Sequence, residues 1–222
     1  MARFVKTLAA ILTATAVAVV GAAPAASAAG PSADRLRAAV SGCDIQLSDA
    51  DYSEDDGGPA TISVCRTDSA VHWKADLDVD CDGRPTPECN ENTDPWFQPE
   101  TAFVQSDGQP LVSAELPYIV VPLPSHRWDY TTAGITGGTV AAVTYQDRVI
   151  YAVVGDLGPS NIIGEGSYAL AEALGIDPDP ATGGVEGAVV DFILFPGVTV
   201  DPIEDHGRAV SVGEQAANAL VG

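Results

Sequence analysis

Positive charge is what this chain has least of. Ten Lys and Arg residues face 31 Asp and Glu residues, and the formal net charge is -21. Phosphates would be repelled by such a surface, which excludes nucleic acid as a partner. Histidine is almost as scarce, with only His72, His126 and His206. There is no His-Glu-x-x-His pair, so the common zinc-hydrolase arrangement is excluded. No serine stands in a nucleophile-elbow pattern, which argues against a Ser–His–Asp hydrolase. Beyond residue 28 no stretch reaches about 18 apolar residues, so no membrane span is expected. Cysteine is limited to four residues. The fold must therefore rest on a buried core more than on covalent staples, and the chain is long enough to build one.

The first 28 residues read as a secretory signal peptide. Arg3 and Lys6 supply a positive start, Leu8 to Val20 an apolar run, and Ala26-Ser27-Ala28 a cleavage site. The remainder, 29–222, fits one domain, with 29–40 expected to be loosely ordered. Export to an oxidising compartment turns four cysteines into two disulfides. Of the three pairings, Cys43–Cys65 and Cys81–Cys89 close short local loops and are favoured. The spacings are not those of a zinc ribbon.

The chain is organised around Val149 to Gly175. Val149-Ile150-Tyr151-Ala152-Val153-Val154 is a buried-strand signal. Gly155-Asp156-Leu157-Gly158-Pro159 predicts a sharp turn with Asp156 at the strand end. Ile162-Ile163-Gly164-Glu165-Gly166-Ser167 leads into a short helix over Tyr168–Leu174, stopped by Gly175. Two carboxylates, Asp156 and Glu165, thus flank one glycine-rich loop. Such a pair can act as proton donor and base in glycoside hydrolysis. On the residues alone, Asp156 can equally be a turn former and Glu165 a solvated surface group.

Val71 to Asp82 alternates. Val71, Trp73, Ala75, Leu77, Val79 and Cys81 lie on one face; His72, Lys74, Asp76, Asp78, Asp80 and Asp82 lie on the other. This is a half-buried strand with a row of aspartates along one side. Repelling charges in a row suggest a surface that awaits cations, although a plain solvated face is also compatible. Asp78-x-Asp80-x-Asp82-Gly83 matches the opening of a calcium loop, but the required closing Glu falls on Cys89. Asp94-Pro95-Trp96-Phe97 and Trp128-Asp129-Tyr130 offer aromatics for sugar stacking or for capping the core.

Elsewhere, Thr139–Tyr145 and Val149–Val154 predict a hairpin. Prolines bound a short edge strand near Leu116–Pro122. Ala188–Phe195 reads as another strand and Ala209–Leu220 as a terminal helix; Glu204-Asp205-His206 can orient a site but reads better as the helix cap. Many short strands with one or two short helices indicate a mainly β, compact, barrel-like domain.

The loop sequences Gly155-Asp156-Leu157-Gly158-Pro159 and Ile163-Gly164-Glu165-Gly166-Ser167 resemble those of the glycoside hydrolase family 75 chitosanases. Further blocks match in order from about Val71 to Ala216: Asp80-Cys81-Asp82-Gly83, Thr93-Asp94-Pro95-Trp96-Phe97, Leu116-Pro117-Tyr118, Gly175-Ile176-Asp177-Pro178 and Pro202-Ile203-Glu204-Asp205-His206. Gly166 departs from the usual Ala. The resemblance implies a secreted, inverting endo-hydrolase of β-1,4-glucosamine linkages, acting on the polycation chitosan. Asp156 and Glu165 would be catalytic, and Asp78, Asp80, Asp82, Asp94 and Trp96 would bind substrate. No cofactor, metal, membrane or second subunit is implied. A likeness to other small polysaccharide-cleaving barrels points to the double-psi type. A non-catalytic, expansin-like wall-binding protein and an endo-hydrolase of another β-glucan are the alternatives.

Overall fold

The computed structural model describes residues 30–222. The expected signal peptide lies outside the described residues. Eight strands run in chain order: β1 (Ile45–Gln46), β2 (Cys65–Thr67), β3 (Ala70–Asp80), β4 (Tyr118–Pro122), β5 (Thr139–Tyr145), β6 (Arg148–Gly158), β7 (Glu165–Ser167) and β8 (Val185–Thr199). Three α-helices accompany them: α1 (Ala33–Ala39), α2 (Tyr168–Leu174) and α3 (His206–Val221). No described helix is long and apolar enough to cross a membrane.

Six strands close into a barrel in the order β3-β7-β4-β6-β5-β8, with β8 pairing back onto β3. The pairs β3–β7 and β4–β6 are parallel. The expected hairpin is β5–β6, in register from Val140↔Val153 to Tyr145↔Arg148. Its turn holds Gln146 at positive φ. β4 is not an edge strand. It lies between β6 and β7. Pro117 precedes it and Pro122 ends it, so neither proline interrupts the middle of the ladder.

Alternation sorts the strands into an inside and an outside. Val71, Trp73, Ala75 and Leu77 of β3 join Ala141, Val143, Ala152, Val154, Phe192 and Leu194 in one apolar cluster within the barrel. Trp73 stacks on Phe192 at 5.4 Å and meets Trp128 edge-on. Trp128 is therefore core and is not available to a sugar. The α2 residues Leu170, Ala171 and Leu174 pack into the same cluster. Intervening residues, among them Val140, Ala142, Tyr151, Val153 and Ile193, form a second cluster beneath α1 and α3. The disulfides join Cys43 to Cys65 and Cys81 to Cys89.

Of the segment expected to be loosely ordered, the described residues 30–40 include a docked helix. Ser32 caps α1 by accepting the Arg35 N–H, and Leu36 is fully buried in the cluster that also holds Ala209 and Ala217 of α3. Arg37 reaches across to Asp191 on β8 at 3.1 Å. Ala33, Leu36 and Val40, at helical spacing and all buried, were the available signal, and the segment is ordered because they dock. Leu36→Ala should therefore lower unfolding free energy by about 2–5 kcal/mol in a denaturant titration. A loss below about 0.5 kcal/mol, the level of a typical surface substitution, would show the segment to be undocked.

Candidate active site

β6 does not stop at Gly155 but continues through Asp156 to Gly158. Its parallel partner β4 matches Ile119 with Val154 and then Val120 with Asp156. Gly155 is the extra residue, a bulge. A bulge resets strand alternation, so Asp156 does not follow Ala152 and Val154 into the interior. It shares the outer face with Val120, which belongs to the outer cluster. A Cβ on Gly155 would lie 2.6 Å from the Tyr118 Cβ, so only glycine fits there.

Glu165 is the first residue of β7 and not part of a coil before a helix. Three residues with no apolar period cannot be recognised as a strand from sequence; β7 exists because β3 and β4 flank it. Its register with β3 pairs Asp78 with Glu165 and Asp80 with Ser167. Paired residues share a face, so Asp78, Asp80, Glu165 and Asp156 all project from one outer wall, β3-β7-β4-β6. Gly158 leaves the room that Glu165 occupies: a Cβ there would fall 2.4 Å from the Glu165 Oε2.

The wall is held by backbone amides. Asp156 Oδ1 accepts the N–H of Ala102 and of Leu157, each at 2.7 Å. Asp80 Oδ1 accepts from the Asp82 amide at 2.8 Å, and Asp82 Oδ1 from the Gln98 amide at 2.6 Å. Carboxylate oxygens of Asp80, Asp82 and Asp156 lie within 4.8 Å of one another. Asp94 is buried, and its Oδ1 accepts the Trp96 N–H at 2.8 Å, which fixes the loop that carries Trp96. The Trp96 side chain is 80% exposed, open to a ligand. No carboxylate of the wall has a basic side chain within salt-bridge distance among the described residues; the two such pairs both belong to Arg37.

Residues 77–216 match the family described as fungal chitosanase of glycosyl hydrolase group 75. The chain belongs to that family. A search of curated proteins finds no match. The match begins at Leu77, within β3, and runs into α3, so it takes in the whole carboxylate wall.

In this chitosanase-family chain, burial raises the pKa of every wall carboxylate, and at Asp78, Asp80, Asp82 and Glu165 neighbouring acids add to it. Burial pushes Glu165 up to about 7, with Asp78, Asp156 and Asp82 adding repulsion. Its carboxylate accepts no hydrogen bond from the described residues. Burial also raises Asp156, but the Ala102 and Leu157 amides oppose the rise by stabilising the ionised form. Asp80 is driven well up, by burial first and then by Asp156 and Asp82. Asp82 rises to about 6 through burial, held back by the Gln98 amide and helped by Asp156 and Asp94. Asp76 was on the aspartate face in the sequence but not among the expected site residues. It is 3% exposed, and burial with Asp78, Glu54 and Asp55 raises it to about 8. Its spacing of two from Asp78 was the available signal.

Raised carboxylates have a definite stability signature. A group whose folded pKa lies above its unfolded value contributes fully below the unfolded pKa, and that contribution is lost as pH rises through the folded pKa. For Asp82, Glu165 and Asp76 the loss falls between about pH 4 and about 8. His72, lowered by burial, opposes this as one group against several. In metal-free buffer the melting temperature should fall from about pH 5 to about pH 8, and Asp76→Asn should flatten the upper part of that fall. A melting temperature that rises over this interval would contradict the shifts.

Proposed function

We propose that the protein is a secreted endo-chitosanase that cleaves β-1,4-glucosamine linkages with inversion at the anomeric carbon. The observation that carries this reading is the wall of carboxylates without a basic partner. Chitosan brings the missing cations on its glucosamine units, and an acidic surface concentrates and steers such a polymer. Family membership supports the same substrate.

Glu165 is assigned as the general acid and Asp156 as the general base. Glu165 keeps its proton near neutrality because it is half-buried, unpaired and faced by other acids. That proton goes to the glycosidic oxygen as the C–O bond breaks. Asp156, held by two amides, takes a proton from the water that attacks the anomeric carbon. Inversion requires roughly 6.5–9.5 Å between the two carboxyls, space for that water. Asp78, Asp80 and Asp82 would meet ammonium groups, and Trp96 would offer its face to a sugar ring. Export through the signal peptide agrees with the two disulfides. A monomer without cofactor suffices for this chemistry.

Asp156→Asn and Glu165→Gln should each leave a folded protein with chitosan hydrolysis reduced at least about a thousandfold. Retention of more than a tenth of the rate would remove that residue from the mechanism. On a chito-oligosaccharide with an activated aryl leaving group, which scarcely needs a proton, Glu165→Gln should recover much of its rate while Asp156→Asn stays inactive. The reverse pattern exchanges the two roles. Reducing ends released from chitosan, but not from cellulose or chitin, separate this reading from a non-catalytic wall binder and from a different β-glucan hydrolase.

A further inference from the structure

A second group of acids excludes both catalytic residues, although it shares Asp78 with the wall. Carboxylate oxygens of Asp55, Asp76 and Asp78 lie within 4.8 Å of one another. That is the span that two oxygens on opposite sides of one calcium ion reach at about 2.4 Å from it. Independently, the Asp76 Oδ1 is buried and has no hydrogen-bond partner among the described residues, in a side chain only 3% exposed. A buried carboxyl oxygen without a donor is costly and calls for a partner. We propose that Asp55, Asp76 and Asp78 bind a hard divalent cation of the calcium type, which ties the 51–58 loop to β3 beside the catalytic wall.

The chemistry selects the ligand class. All three donors are carboxylates, which suit a hard cation, and the absence of histidine or thiolate disfavours zinc and copper. A glucosamine ammonium carries a pyranose ring and cannot reach an oxygen covered this completely, whereas a bare ion can. Nor does the protein supply a counter-charge, since no basic side chain pairs with these acids among the described residues. Without a cation, burial together with Asp78, Glu54 and Asp55 favours a proton on Asp76.

The local frame is already assembled. The Ser53 N–H donates to the Asn161 carbonyl and the Ile163 N–H to the Ser53 carbonyl, both at 3.1 Å. Asn161 Nδ2 donates to Asp56 Oδ1 at 3.1 Å. The Asp78 N–H donates to the Gly164 carbonyl at 2.9 Å. Asp55 therefore comes from a loop docked on the segment that leads into Glu165. The site is also different from the calcium loop that Asp78-x-Asp80-x-Asp82 hints at in the sequence. The structure splits that trio: Asp78 faces Asp55 and Asp76, while Asp80 and Asp82 gather at Asp156. Asp55 and Asp76 precede residue 77, where the family match begins, so the site does not follow from family membership.

The test is calorimetric melting of the chelator-stripped mature protein at about pH 8, with calcium chloride titrated in. At calcium about a hundred times its dissociation constant, the melting temperature should rise by about 5–10 °C and saturate. Asp55→Asn, in an exposed loop and so safe for folding, should abolish the rise, whereas Asp80→Asn should retain it. No rise in the wild-type protein, together with no heat of binding, would overturn the proposal and leave a proton as the only neutraliser of Asp76. A rise that survives Asp55→Asn but vanishes in Asp80→Asn would also overturn it, by placing the ion at the other cluster.

Discussion

The structure depends on one electrostatic constraint: like charges crowded onto one barrel wall, with no lysine or arginine in salt-bridge contact with them among the described residues. Carboxylates this close cannot all be ionised at neutral pH, because each ionisation raises the cost of the next. The wall must hold protons, bind cations, or both. Burial and the neighbouring acids push Glu165 up to about 7, whereas at Asp156 two backbone amides oppose the rise that burial causes. In the proposed mechanism, that difference in burial and hydrogen bonding is what separates the proton donor from the proton acceptor.

The barrel makes this crowding tolerable. Its interior is filled by alternating apolar residues around Trp73 and Phe192, and α1 and α3 cover much of the outside. The carboxylates are confined to the wall β3-β7-β4-β6. A single unpaired residue, Gly155, decides on which side of that wall Asp156 falls. The amide of Ala102 reaches Asp156 from a long excursion between β3 and β4, which also carries Asp94 and the exposed Trp96. Stability and function are therefore opposed here, since the same burial that tunes the acids makes their ionised forms costly.

Much of the barrel was legible because its strands are long and locally encoded. The run Val149–Val154, the hairpin to Thr139–Tyr145, the alternation after Val71 and the Gly175 stop each state their own conformation. What depends on partners was not legible. β7 is three residues long, β4 gains neighbours on both sides only in the closed sheet, and α1 is helical because Leu36 has somewhere to go. The same division runs through the site. The residue types and the glycine-rich loop drew attention to Asp156 and Glu165. That Asp156 lies within a strand and that a bulge reorients it follow from pairing with β4 and leave no mark in local sequence. Asp94, expected at the substrate, is buried and holds the turn that carries Trp96, while Asp76 looked ordinary and is the most enclosed acid of its row.

The central claim is that the wall separates its two key acids by protonation state. Carbon-13 NMR of carboxyl-labelled protein, titrated with pH and assigned through Asp156→Asn and Glu165→Gln, measures this directly. The account predicts a Glu165 midpoint of about 7, with Asp156 ionising at lower pH. A Glu165 midpoint near its ordinary 4.5, or an Asp156 that ionises after it, would contradict the account.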